Sequence, residues 1–124
     1  MKTEQRFFGD AGEAAVVEYL QNEGYAICAR NFQIRGGEID IIARKAEVIA
    51  FVEVKTRRVE QFALSEVVTF SKQRKIIQAA RSYLFQHRIS DMVIRFDIAI
   101  LTGDAPDWKL NYISNAFTAH EGIL

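Results

Sequence analysis

Glu38, Asp40, Glu53 and Lys55 stand at alternate positions of two otherwise apolar, β-rich runs, Gly37-Glu38-Ile39-Asp40-Ile41-Ile42 and Phe51-Val52-Glu53-Val54-Lys55. Successive side chains of a strand point to opposite faces, so Glu38, Asp40 and Ile42 share one face while Ile39, Ile41 and Ala43 share the other. In the second run Ile49, Phe51, Glu53 and Lys55 fall together, opposite Val48, Ala50, Val52 and Val54. A hairpin that pairs Asp40 with Glu53 also pairs Glu38 with Lys55, which places four charges roughly 5 Å from their cross-strand neighbours. Two carboxylates that close repel, so either one rises in pKa or a cation sits between them. An all-oxygen set suits a hard divalent ion, with Mg²⁺ favoured because it keeps several waters and accepts phosphate oxygens. Lys55 beside such an ion can orient an attacking water or neutralise charge developing on a phosphate. The plain alternative is an edge hairpin with a solvated face, carrying Glu38 and Lys55 as a weak cross-strand ion pair.

The order Asp40, Glu53, Lys55, with one residue between the last two, resembles the D…E-x-K core of the PD-(D/E)XK restriction-endonuclease-like superfamily. The two extended segments, continuing through Thr56-Arg57, are similar to the YraN family, small bacterial proteins related to archaeal Holliday-junction resolvases. The likeness runs from about Gly9 to Asp97. It implies a restriction-endonuclease-like three-layer sandwich, a Mg²⁺ or Mn²⁺ site at Asp40, Glu53 and Lys55, and a further acid on the first helix, which falls on Glu13 within Gly12-Glu13-Ala14-Ala15. The sequence departs from the superfamily pattern at Ile39, where a proline would precede the aspartate. The resolvase relatives act as dimers on two-fold symmetric junctions, but no residue here marks a dimer surface.

A chain of 124 residues, 49% hydrophobic and with nine Phe, suffices for one compact domain over residues 1–124 and leaves no room for a second. Its one cysteine, Cys28, excludes an intrachain disulfide, and its neighbours Ile27 and Ala29 predict a buried thiol in a reducing compartment. No apolar run is long enough for a membrane span and the N-terminus lacks a signal peptide's apolar segment, so a cytoplasmic location is expected. Net charge is zero, yet residues 1–53 carry −3, residues 54–95 carry +6 and residues 96–124 carry −3. A basic middle section that begins beside Lys55 is where a phosphate backbone would be gripped, and a solvated helix face is the competing explanation.

The elements that must position these groups read as an α/β order. Apolar residues from about Thr3 to Glu23 recur at helical spacing, with Thr3 as N-cap and Gly24 beyond the end. On this helix Glu13 lies at the margin of the stripe formed by Gly9, Val16, Val17 and Leu20, so it either pairs, with an arginine such as Arg35, or ligates. Tyr25 to Arg35 reads as a strand ending at Gly36-Gly37, followed by the hairpin, whose turn near Arg44 to Glu47 lacks an Asn-Gly or Asp-Gly signal. Thr56 to Thr69, with Arg57 and Arg58, reads as a polar loop beside the site, of the kind that clamps substrate. Ser71 is the expected cap of a second helix ending near His87, with Ile76, Ile77, Ala80, Tyr83 and Leu84 inward. Its first turn, Lys72, Gln73, Arg74 and Lys75, opposes the helix dipole, which an anion would relieve. Met92 to Leu101 is a buried strand in which Asp97 is expected to bond an arginine or a backbone amide, with a catalytic role as the alternative. Trp108 to Ile113 is a last strand, at an edge. His87 and His120 are isolated, so a zinc site is not expected.

The chain is therefore expected to hydrolyse phosphodiester bonds in DNA within a mixed-sheet α/β domain. In that reading Asp40 and Glu53 bind the metal, with the Val54 carbonyl and Glu13 assisting. Lys55 orients the water, and Arg57, Arg58, Lys72, Gln73, Arg74 and Lys75 meet nucleic acid. Two rivals stand beside it: a binding module of the same fold that recognises branched or damaged nucleic acid, and an interaction protein whose acids are structural.

Overall fold

A computed structural model describes residues 4–58 and 68–119, with side chains of the first helix described from Asp10 onward. Helix α1 (Glu4–Asn22) is followed by strands β1 (Ala26–Ile34), β2 (Gly37–Lys45) and β3 (Val48–Arg57), helix α2 (Phe70–Gln86), and strands β4 (Val93–Thr102) and β5 (Lys109–Phe117). The strands lie in sequence order in one sheet. β1, β2 and β3 form an antiparallel meander, β4 runs parallel to β3, and β5 returns antiparallel to β4. A parallel pair needs a long crossover, and the segment containing α2 supplies it. The sheet is thus mixed and lies between two helices, the α/β sandwich expected.

Each face has its own core. Val16 and Leu20 of α1 cover Ile41, Ala43, Ala50, Val52, Ala99 and Leu101. Ile76, Ile77, Ala80, Tyr83 and Leu84 of α2 cover Ile42, Ile49, Phe51, Phe96, Ile98 and Ile100. β3 and β4 are apolar on both sides because both are covered, as parallel strands require. α1 can lie close on β3 because its contact residue is Gly12: a Cβ there would stand 2.5 Å from Thr56 Cγ2 and 3.2 Å from Leu101 Cδ1. That close approach sets the neighbouring Glu13 over the sheet. α1 ends as its sequence indicates, with Gly24 at φ +93° and Tyr25 N–H donating to the Leu20 carbonyl.

The hairpin takes the register in which Asp40 would fall opposite Glu53, since Ile41 faces Val52 and Lys45 faces Val48 across a two-residue turn. Ala46 takes the left-handed conformation there, φ 51°, in place of the missing Asn or Gly. Toward the other end the ladder stops at Ile41 and Val52, so Glu38 does not meet Lys55. Glu38 pairs instead with Gln33 on β1, whose Nε2 donates to Glu38 Oε2 at 3.1 Å.

Other expectations are corrected by tertiary context. Ile39 packs under α2 and not with Ile41 under α1. Thr69, not Ser71, caps α2, its Oγ1 accepting from Lys72 N–H at 3.2 Å, because the helix begins one residue before Ser71. Cys28 is exposed, standing where the β1 register shifts between Ile27 and Ala29. β3 continues through Arg57, so the loop is shorter than expected, and its middle, residues 59–67, lies outside the described residues, as does the Thr3 cap. β5 reaches Phe117 because pairing with β4 carries the strand past Ile113. Among the described residues no helix is long and apolar enough to cross a membrane.

Candidate active site

β2 and β3 part beyond the Ile41–Val52 pair, and the two acids occupy the opening. Asp40 Oδ2 accepts a hydrogen bond from Val54 N–H at 2.8 Å, so a side chain takes up a β3 amide just past the end of the ladder. Asp40 is 7% and Glu53 5% exposed. Two lysines approach Glu53 without closing on it: Lys55 Nζ is 3.8 Å from Oε1 and Lys72 Nζ, from α2, is 3.7 Å from Oε2. Glu53 Oε2 is fully enclosed and has no hydrogen-bond partner. Burial first, then the neighbouring Asp40, push the Glu53 carboxyl up to about 8, with the lysines opposing.

Glu13 enters from α1. Its nearest cation is Arg30, not Arg35, with Nη2 3.9 Å from Oε1, and that oxygen also lacks a hydrogen-bond partner. Burial and the charge of Asp40 raise the Glu13 carboxyl to about 6, while Arg30 and the Asn31 side chain favour its ionised form. Asp40 thus lies within electrostatic reach of both glutamates, one on each helix's side of the sheet.

Three carboxylates, two of them with orphaned oxygens, are matched in number by Lys55, Lys72 and Arg30, but none of these cations comes within hydrogen-bond distance of them. A polar group left buried without a partner costs about 1–3 kcal/mol, more when charged. The oxygen-only donors fit a hard cation. Among the described residues no three acidic, His or Cys side chains form a group placed to hold a metal ion, and Glu13 meets Asp40 through the charge that raises its pKa. An ion held by two carboxylates would retain waters, as Mg²⁺ does.

The basic residues separate into two groups. Lys72 and Lys75 line a groove of about 300 Å³ with Gln33, Ile34, Gly36, Gly37 and Glu38, and Lys72 joins this groove to the carboxylates. Gly37 is required where α2 crosses this turn, since a Cβ would lie 2.5 Å from the Lys75 carbonyl oxygen. Arg74 is exposed outside that lining. The others are occupied elsewhere: Gln73 Nε2 donates to the Val68 carbonyl, Arg57 Nη1 to the Thr56 carbonyl, and Arg58 pairs with Asp104 at 2.6 Å. Sequence reasoning missed Arg30 and Asn31 at the site. The available signal was Asn31 itself, an asparagine inside a strand, a residue type that tolerates the left-handed conformation.

Asp97 is not part of this site. It is fully buried and accepts from Arg95 Nε and Nη2 at 2.9 Å, from the Tyr112 hydroxyl, and from Asn115 N–H at 2.8 Å. The expected structural role, bonded to an arginine and a backbone amide, is what these hydrogen bonds show.

Comparison with known proteins gives a consistent family. Residues 12–101 match the model of uncharacterised protein family UPF0102. A UPF0102 protein of Clostridium perfringens is 42% identical over 120 residues, covering 94% of this chain and 98% of its own. A UPF0102 protein of Myxococcus xanthus is 36% identical over 117 residues, covering 94% and 93%. One from Geobacter metallireducens is 41% identical over 118 residues, covering 94% and 97%.

Proposed function

We propose that this chain, which belongs to the uncharacterised protein family UPF0102, hydrolyses phosphodiester bonds in DNA with the help of Mg²⁺ or Mn²⁺. The observation that carries the reading is Glu53 Oε2: a buried carboxylate oxygen without a hydrogen-bond partner, beside a second buried carboxylate and flanked by two lysines that stand off at 3.7 and 3.8 Å. A cation between Asp40 and Glu53 would remove the repulsion that raises the Glu53 pKa and would supply Lewis-acid activation of a bound water. Asp40 is held for this role by Val54 N–H. Lys55, a quarter exposed and adjacent to Glu53, orients the nucleophile or meets charge on the phosphate. Glu13 adds negative charge from α1 and helps to hold the ion through its waters. Lys72 and Lys75 meet the substrate backbone along the groove, and Arg57, Arg58 and Arg74 contribute charge around it.

The test is cleavage of linear and branched DNA, and of RNA, with Mg²⁺, Mn²⁺ or chelator, using Asp40→Ala and Glu53→Gln as controls. Metal-dependent nicking lost in both variants is the expected result; cleavage that persists in both would remove the assignment. Lys72 and Lys75 along the groove would equally serve, as second reading, a binding module of the same fold. Salt-dependent DNA binding without cleavage under any metal would select it.

A further inference from the structure

Two strands reverse their faces at one point beside the site. On β1, Ala29 and Phe32 both pack on the α2 side, although they are three residues apart. On β2, Ile39 and Ile42 do the same, while Ile41 between them packs under α1. In regular strands residues three apart face opposite ways. The β1–β2 partners around the reversal are Arg30 with Ile41 and Phe32 with Ile39, so the residues at its centre, Asn31 and Asp40, stand opposite each other. Asn31 is in the left-handed region, φ 52°. Continued alternation would send Asp40 with Ile42 to the α2 face. Its carboxylate instead meets Val54 N–H on β3. Arg30, the residue preceding Asn31, is the cation beside Glu13, with Nη2 3.9 Å from Oε1.

We propose that Asn31 is a positioning residue of the carboxylate site: its left-handed backbone reverses the two strands so that Asp40 reaches Val54. Only Gly, Asn and Asp enter this backbone region readily, and a β-branched residue there is an outlier. The backbone role therefore separates from the side chain by substitution. Asn31→Gly keeps the conformation and removes the amide, whereas Asn31→Val opposes the conformation itself.

The inference rests on the metal reading above only in its second measurement. The first is amide hydrogen exchange by NMR, taking protection of Val54 relative to Ile98, its near neighbour across the β3–β4 pairing. Asn31→Gly should leave this ratio within about threefold of the parent, and Asn31→Val should lower it by about tenfold or more, as the cost of a disfavoured backbone implies. If Asn31→Val does not fold, Asn31→Ala should move the ratio in the same direction. The second measurement is Mn²⁺ affinity by calorimetry, where Asn31→Gly should bind as the parent does and Asn31→Val should weaken binding about ten- to a hundredfold, the scale seen when support of a ligand is lost. A Val54 ratio unchanged in Asn31→Val and Asn31→Ala overturns the positioning role. A parent protein that takes up no Mn²⁺, yet whose Val54 protection follows the backbone at position 31, upholds the positioning role and removes the metal reading instead.

Discussion

The sheet buries carboxylates in two places, and they are finished differently. Asp97 on β4 is enclosed by Arg95, Tyr112 and the Asn115 amide, each making a hydrogen bond, and Arg95 in turn donates to Tyr25. Asp40 and Glu53 are nearly as deep, but only Asp40 has a donor, Glu53 keeps an oxygen without a partner, and the lysines stay beyond hydrogen-bond length. Bonding to Asp97 drives the Arg95 pKa up, and burial followed by the Asp97 bond does the same for Tyr112. At the other place the strain falls on the acids themselves, with Glu53 near 8 and Glu13 near 6. A fold that fully satisfies one buried aspartate is able to satisfy buried carboxylates. Leaving the second cluster open is then informative, because unpaired buried charge is costly unless a ligand completes it.

The largest expected effect tests the closed cluster. Asp97→Ala strands the Arg95 guanidinium and Tyr112 hydroxyl, and loss of one partner of a buried pair costs about 3–5 kcal/mol. Chemical denaturation should show that loss, while DNA binding by the remaining folded protein is unchanged. Glu53→Gln should do the reverse, with metal-free stability at pH 7 unchanged or raised and metal binding lost. Equal destabilisation by both substitutions would erase the distinction between the clusters.

Lys55 sharpens the comparison next. A purely structural ion pair, part-exposed at 3.8 Å from Glu53, should accept arginine with little change. A group that orients water or meets developing charge should not, because arginine is planar, bulkier and differently hydrated. Lys55→Arg is expected to fold and to bind DNA normally but cleave at least about tenfold more slowly, with roughly 10²–10³ the scale for complete loss of one such donor. Single-turnover cleavage measures it.

The open cluster also predicts a pH dependence with a definite sign. Glu53 binds its proton more tightly folded, at about 8, than at the ordinary 4.5. Between those values the folded protein holds more protons than the unfolded chain, so metal-free stability falls as pH rises through this window. Glu13, raised to about 6, adds to the lower half. One pKa unit is about 1.36 kcal/mol, so the change that Glu53 causes between pH 5 and 8 should be on the order of 3–4 kcal/mol. Denaturation with and without Mg²⁺ checks it: the ion should restore stability at pH 8 far more than at pH 5, and Glu53→Gln should flatten the curve. Stability that rises across this window would mean that Glu53 is already neutralised by its lysines.

How much of this was legible depends on distance along the chain. The Ile41–Val52 register agrees with the one assumed for the hairpin, of which alternation fixes only the parity, because a one-residue slip would carry each core side chain to the other helix's face. The same rule failed at Ile39 and at the expected Glu38–Lys55 pair, since alternation ends at Asp40, where Asn31 on another strand changes the backbone. Cys28 looked buried from its neighbours, but β1 is an edge strand with a register shift at that point. Glu13 was legible as a marginal acid, while its cation, Arg30, depended on how α1 sits over β1. The basic first turn of α2 signalled an anion, but the anion Lys72 meets in the fold is Glu53, brought near by the crossover.

That double position of Lys72 yields the smallest and most discriminating effect. Lys72 pairs with Glu53 and also lines the groove with Lys75, whereas Arg74, two residues on, is exposed outside that lining. If the groove carries the DNA backbone out of the open cluster, Lys72→Ala and Lys75→Ala should each lower affinity for every sequence alike. Each should also make the slope of log K against log salt shallower by about 0.9, the change expected when one phosphate is no longer neutralised. Arg74→Ala should change the slope less, because a charge outside the groove is screened within about 8–10 Å at physiological salt. Lys72→Ala should in addition leave Glu53 with one cation fewer and raise the pH at which metal binding sets in, an effect Lys75→Ala lacks. Equal slopes for all three variants would mean that the basic section acts as diffuse charge, with the groove having no share in substrate placement.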